Sequence, residues 1–143
     1  MSDPQAVAEA SARAMYGQDR ASQALGLRLV EIRPGYARLA MTVREDMVNG
    51  HQLCHGGLIF TLADSTFAFA CNTYDVVTVA SAASIEFLLP ARLGDELTAT
   101  ADERSRSRRS GVYDVAVHNQ QGDCVALFRG RSHQIGGNVI VNP

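Results

Sequence analysis

Lysine is missing altogether, and all 13 basic residues of the 143-residue chain are Arg. Without a lysine amine there is no Schiff-base chemistry, no attachment point for pyridoxal phosphate and no complete P-loop. Cysteine is scarce: Cys54, Cys71 and Cys124 are odd in number, widely spaced and form no CxxC pair. A disulfide framework is therefore not expected, and a reducing compartment is. Long hydrophobic runs are lacking too. Residues 56–74 carry no charge except Asp64, but the stretch is too short and too polar to span a bilayer. No basic segment precedes an apolar core near the N-terminus, where Asp3 and Glu9 interrupt an Ala-rich run, so a cytoplasmic location is expected. Charge of one sign is not in excess either. A formal balance of −2 with scattered acids gives no reason to expect a nucleic acid or a membrane surface as partner.

What is present suits one cored domain over residues 1–143, at 46% hydrophobic content. Asp3, Pro4 and Gly17 bracket a short first helix, so residues 1–20 read as an N-terminal helix and loop, and 136–143 as a tail. Residues 25–33 and 36–43 flank Pro34-Gly35 as a hairpin, with Ala37, Leu39, Met41 and Val43 alternating with smaller or polar residues. LIFTLADSTFAFACNTY places Phe60, Ala63, Asp64, Phe67 and Cys71 on one helical face and is apolar nearly all round, as a central buried helix would be. Four strand candidates follow, at 76–90, 95–106, 111–119 and 124–135, joined by turns such as RRSG and QQGD. Strands joined by tight turns with one apolar helix inserted predict an α+β single-layer fold, a sheet wrapped around that helix and pairing edge to edge in an oligomer.

The segment NGHQLCHGGLIFTLAD, residues 49–64, concentrates the chemistry. His51, Cys54 and His55 suggest a metal, and His51 and His55 are four apart. The flanking Asn49-Gly50 and Gly56-Gly57 make this a loop rather than a helix, and Gln52 stands where HExxH needs Glu, so no metal is expected. Cys54 beside His55 suggests a nucleophile, but neighbours in an extended loop point opposite ways, and a small buried filler is the stronger reading. Asp64 stands out. It lies about two turns into the most apolar segment, and burial of that kind raises a carboxyl pKa above its usual value of about 3.9. A poised base, a satisfied core carboxylate and a solvent-facing Asp on a less buried helix all remain open for it. The Gly pair at a helix start aims free N–H groups and the positive end of the helix dipole at whatever precedes it, as an oxyanion hole would. Asp64 lies roughly 10 Å further along the same helix, too far to serve a carbonyl held there. A second subunit packed antiparallel removes the obstacle and creates two shared sites.

NGHxxxHGGxxFxLAD, then VASAxxIEFLxPxxxGDxLTATA, GVYDVxVxNQ and VALFRGxSHxIGG, taken together and in order, resemble the hot-dog-fold acyl-CoA thioesterases of the phenylacetic-acid-degradation type. The resemblance runs from about Leu25 to Gly137. It implies a curved antiparallel β-sheet wrapped around a long central helix, dimers with a continuous sheet and usually tetramers of two such dimers. It also implies hydrolysis of an acyl-CoA thioester, with ring-hydroxylated phenylacetyl-CoA as the substrate class and neither cofactor nor metal. By the same resemblance Asp64 is the general base or nucleophile and the Gly56 N–H polarises the thioester carbonyl beside Gly57. Asn49 and His55 support substrate and water positioning. The turn Arg108-Arg109-Ser110-Gly111 lies near the coenzyme A nucleotide, whose phosphates suit guanidinium groups. Two rivals remain: an acyl-CoA-binding or sensing protein without hydrolysis, and an enoyl-CoA hydratase of the same fold.

Overall fold

In the computed structural model, which describes residues 3–141, the first helix α1 (Pro4–Gln18) starts where capping chemistry puts it. The Asp3 carboxylate accepts from the Ala6 N–H at 3.2 Å and Pro4 occupies a first-turn position that needs no N–H donor. A second short helix, α2 (Arg20–Ala24), follows at once, capped by Asp19, whose carboxylate takes the Ser22 N–H at 3.0 Å and the Ser22 hydroxyl at 2.6 Å. The expected loop after α1 is thus a helical turn. It also shortens the first expected strand, because β1 runs only from Arg28 to Arg33 and Leu25 caps α2.

β1 pairs with β2 (Tyr36–Thr42) across the Pro34-Gly35 turn, with Gly35 at φ +71°, a left-handed conformation that favours glycine. After a loop comes α3 (Gly56–Cys71), then β3 (Thr78–Phe87), β4 (Glu96–Ser107), β5 (Ser110–His118) and β6 (Cys124–Gln134). The six strands form one antiparallel sheet in the order β1-β2-β4-β5-β6-β3. Its inner face (Ala37, Leu39, Met41, Leu97, Ala99, Ala101, Val115, Val117, Ala126 and Phe128) is buried against α3, the hot-dog arrangement.

The helix is less enclosed than its composition suggests. Ile59, Leu62, Ala63, Thr66, Phe67, Phe69, Ala70 and Cys71 are buried, but Leu58, Phe60, Thr61, Asp64, Ser65 and Ala68 are half-buried and Gly57 is exposed. A sheet covers one side of a helix, and apolar residues on the remaining side wait for another cover. Its C-terminus is fastened by Asn72, whose Nδ2 donates to the carbonyls of Ala68 and Thr78 while its Oδ1 accepts the Thr78 N–H. The same side chain therefore ends α3 and starts β3.

β3 is an edge strand of small residues, Val79 to Ser84, all exposed. It bulges at Ser81, where the pairing with β6 skips from Ala80↔Ser132 to Ala82↔Arg131. Beyond β6 the chain at 136–141 is irregular but pinned, since the Asp75 carboxylate accepts from the Ile140 N–H at 2.7 Å and from Asn138 Nδ2 at 3.0 Å.

Candidate active site

The loop before α3 is shaped by its own hydrogen bonds. Asn49 Oδ1 accepts the N–H groups of His51 and Leu53 at 2.9 and 3.2 Å, and the Asn49 N–H donates to the Leu53 carbonyl at 2.9 Å. Cys54 donates its N–H to the Ala91 carbonyl, which ties the loop to the segment after β3, and His55 donates to Met47, in the turn before the loop. The Asn49 oxygen is therefore committed to the loop, and its Nδ2, without a partner among the described residues, is the part left for a ligand.

α3 then begins at Gly56 with no side-chain cap, because the N-cap residue His55 makes no such bond and its imidazole is exposed. The N–H groups of Leu58 and Ile59 both turn back to the His55 carbonyl. Those of Gly56 and Gly57 have no partner among the described residues, so two donors and the positive end of a sixteen-residue helix face the same point. A side chain at 56 is tight: a Cβ there would lie 3.0 Å from Cζ of the half-exposed Phe87 ring, which would have to give by a few tenths of an ångström. Phe87 closes a cavity of about 340 Å³ with Asn49, Gly56, Ile59, Leu89 and Pro90. Sequence reading missed Phe87, and its only signal was the glycine that makes room for it.

Asp64 sits two turns along α3, half-buried, and burial raises its carboxyl pKa above the usual value. Its carboxylate makes no hydrogen bond or ion pair among the described residues, so nothing offsets the desolvation. Phe60 and Phe67 flank it on the helix at one turn before and one after. Both rest on Phe128, with centroids 5.3 and 5.9 Å from its ring, and Phe67 seats over Gly130, where a Cβ would meet it at 2.8 Å. Cys54 is buried and its thiol is pushed up to about 11 by that burial, which removes the thiolate a nucleophile needs. His51 is exposed in the loop, so the four-residue spacing of His51 and His55 lies outside any helix.

The expected residues fall in three places within one chain. Asn49, His55, Gly56 and Gly57 meet at the start of α3, Asp64 lies about 12 Å along the same helix, and Arg108, Arg109, Ser110 and Gly111 form the β4–β5 hairpin. The hairpin adjoins the start of β3, because Gln134, paired with Thr78, donates its N–H to the Arg109 carbonyl at 2.7 Å. Gly56 adjoins its end, at Phe87. Arg108, at φ +55°, and Arg109 are exposed at the tip with no ion pair among the described residues.

An uncapped Gly pair facing a pocket and an acid without a partner among the described residues thus lie on one helix, and the chain belongs to the thioesterase superfamily, whose family model matches residues 51–126. It is 50% identical over 129 residues to the acyl-coenzyme A thioesterase PaaI of Escherichia coli (strain K12), covering 90% of this chain and 92% of that protein. The solved structure of the E. coli PaaI protein from the phenylacetic acid degradation operon superposes with a TM-score of 0.93 at 48% identity, covering 95% of this chain and 99% of the other. A Streptococcus mutans protein solved bound to acetyl-CoA is 27% identical, with a TM-score of 0.75 over 78% of this chain and 90% of the other. No helix among the described residues is long and apolar enough to cross a membrane.

Proposed function

We propose that the chain is an acyl-CoA thioesterase that hydrolyses phenylacetyl-CoA, ring-hydroxylated or plain, to the free acid and coenzyme A, and that it does so in sites shared between two subunits. The observation that carries this reading is Asp64: a half-buried carboxylate with raised pKa, no partner among the described residues, and two turns of helix between it and the N–H groups that would polarise its target. The names of the relatives support the substrate class.

The open edge of β3 supports the dimer. Antiparallel pairing of two β3 strands about a two-fold axis joins two six-stranded sheets and lays the Thr78 end of one strand beside the partner's Phe87. The same operation runs the two α3 helices antiparallel, so that Asp64 of one faces the partner's Gly56 and covers the half-exposed flank of α3. Two such dimers form the tetramer. A cytoplasmic location suits its three free thiols.

In the shared site the thioester oxygen lies on the Gly56 N–H, and Asn49 Nδ2 and His55 hold substrate and water. Asp64 takes a proton from water as the oxygen attacks the carbonyl carbon. The negative charge that develops on the carbonyl oxygen is stabilised by the helix start. Collapse breaks the C–S bond, and the proton returns from Asp64 to the departing thiolate. Direct attack by Asp64, forming an anhydride that water then opens, uses the same groups, and isotope from labelled water found in the Asp64 carboxylate after one turnover marks that route. The test of the function is release of free thiol from phenylacetyl-CoA. Wild type releases it, Asp64→Asn keeps the fold and loses most turnover, and undiminished release by that variant sinks the mechanism.

A further inference from the structure

Beyond the C-terminus of α3 stands a second group of titratable side chains that hydrolysis does not use. The phenols of Tyr74 and Tyr113 both donate to Glu103 Oε1, at 2.8 Å each. Burial, and then the Glu103 carboxylate, push both phenols above their usual pKa, so they remain donors. Arg106 Nε lies 3.5 Å from the same Oε1, and its guanidinium carbon stacks 3.7 Å from the centre of the Tyr74 ring. Gly35 is part of the fit: a Cβ there would lie 2.9 Å from the Tyr74 hydroxyl and 3.0 Å from Glu103 Cβ.

The arrangement holds Arg106 from one side only. Ring and carboxylate fix the plane of the guanidinium, while its side chain stays 42% exposed and its two Nη groups have no hydrogen bond among the described residues. The neighbouring Arg104 and Arg129 are different, because Asp114 takes both, at 3.5 and 2.6 Å. Arg106 pairs with the buried Gly111, which places it on the α3 side of the sheet, one turn of hairpin from Arg108 and Arg109. An ordered guanidinium with a free edge, beside two unpaired ones, is what a bidentate phosphate contact requires. In the antiparallel dimer this end of the sheet adjoins the partner's Gly pair.

We infer that Arg106 binds a phosphate group of the coenzyme A nucleotide together with Arg108 and Arg109, and that Tyr74 and Glu103 are positioning residues acting through it. The inference rests on the acyl-CoA reading above, and it adds a residue on the strand to those of the turn.

The test compares phenylacetyl-CoA with the phenylacetyl thioester of pantetheine, which keeps the acyl group and the arm but has no nucleotide. Arg106→Ala is expected to raise KM for the CoA thioester about tenfold, with kcat and the KM for the pantetheine thioester unchanged. Tyr74→Phe, which keeps the stacked ring but removes one of the two phenols that hold Glu103, should raise the same KM by a smaller factor. Arg106→Lys, which keeps the charge without the planar fork, should fall between wild type and Ala and guards against a folding defect in the Ala variant. Equal changes on both substrates, or none on either, overturn the inference. Wild type that cleaves both thioesters with equal KM keeps the acyl-CoA reading and overturns the nucleotide contact. Wild type that cleaves neither overturns both.

Discussion

The two edges of the sheet are built differently. β1, at one edge, is six residues long, carries Arg28, Glu31 and Arg33, and is backed by α1, from which Gln5 Nε2 donates to the Ile32 carbonyl at 2.8 Å. Charge and cover of this kind discourage a further strand. β3, at the other edge, is ten residues long, and its exposed run from Val79 to Ser84 is small and uncharged. Exposed apolar side chains continue past it, at Phe87, Leu88 and Leu89. One edge is covered and the other is left open, and the open edge is the one that ends against Gly56.

The sharpest way to break that difference is a matched pair of charges. Ala82→Arg on β3 is expected to give monomers by light scattering and to lower kcat/KM at least a hundredfold, because each site loses half its residues. Val30→Arg on β1, equally exposed, should leave both mass and activity unchanged. Asp64→Asn separates the interface from the chemistry: turnover falls on the order of a thousandfold while the dimer persists.

The same variant should also be more stable at neutral pH. Asp64 has a raised pKa in the folded chain, so between its unfolded and folded values the native state holds the extra proton. Stability therefore falls as pH rises through that window and stays lower above it. Removing the charge raises the melting midpoint above the window and leaves it unchanged below, which thermal unfolding against pH will show. The acid limb of kcat/KM should rise through the same raised pKa, above the usual carboxylate value of about 3.9. The limb should disappear in Asp64→Asn. A smaller effect comes from Gly56→Ala, whose methyl group would press on the Phe87 ring, and kcat should fall about tenfold. Phe87→Ala in the same chain should recover part of the loss.

Much of this fold was legible in the sequence. The start of α3 follows from the Gly pair after His55, but its end does not: the stretch read as helix runs on to Tyr74, whereas Asn72 and Thr73 turn their side chains back to cap it after Cys71. The alternation at Ala37, Leu39, Met41 and Val43 is the core face of β2 and the residue after it, since all four are buried. Ala40 is buried as well, because the outer side of β2 is partly covered, which strict alternation does not foresee. Periodicity gives the face a side chain occupies but not the neighbour of its strand. For that reason the position of β3 at the edge, four strands from β2 and three from β4, its neighbours in sequence, was not legible. Its small residues read as an ordinary strand. The Gly pair and Asp64 stood out because each departs from its surroundings, one lacking side chains at a helix start and the other charged within an apolar run. The contact of Phe87 with Gly56, and those of Tyr74 with Glu103 and Arg106, join residues more than twenty-five apart, and no local pattern announces them.

The account stands on the sites being shared, and subunit mixing tests it directly. Gly56→Pro removes the N–H at the first helical position, where proline is tolerated, and the extended His55 before it is compatible with proline. Asp64→Asn removes the base. Each variant alone should be nearly inactive. Coexpressed in equal amounts and free to pair at random, they should recover about a quarter of wild-type activity, since half the dimers are mixed and each mixed dimer holds one intact site. No recovery from a mixture that forms heterodimers would contradict the shared site.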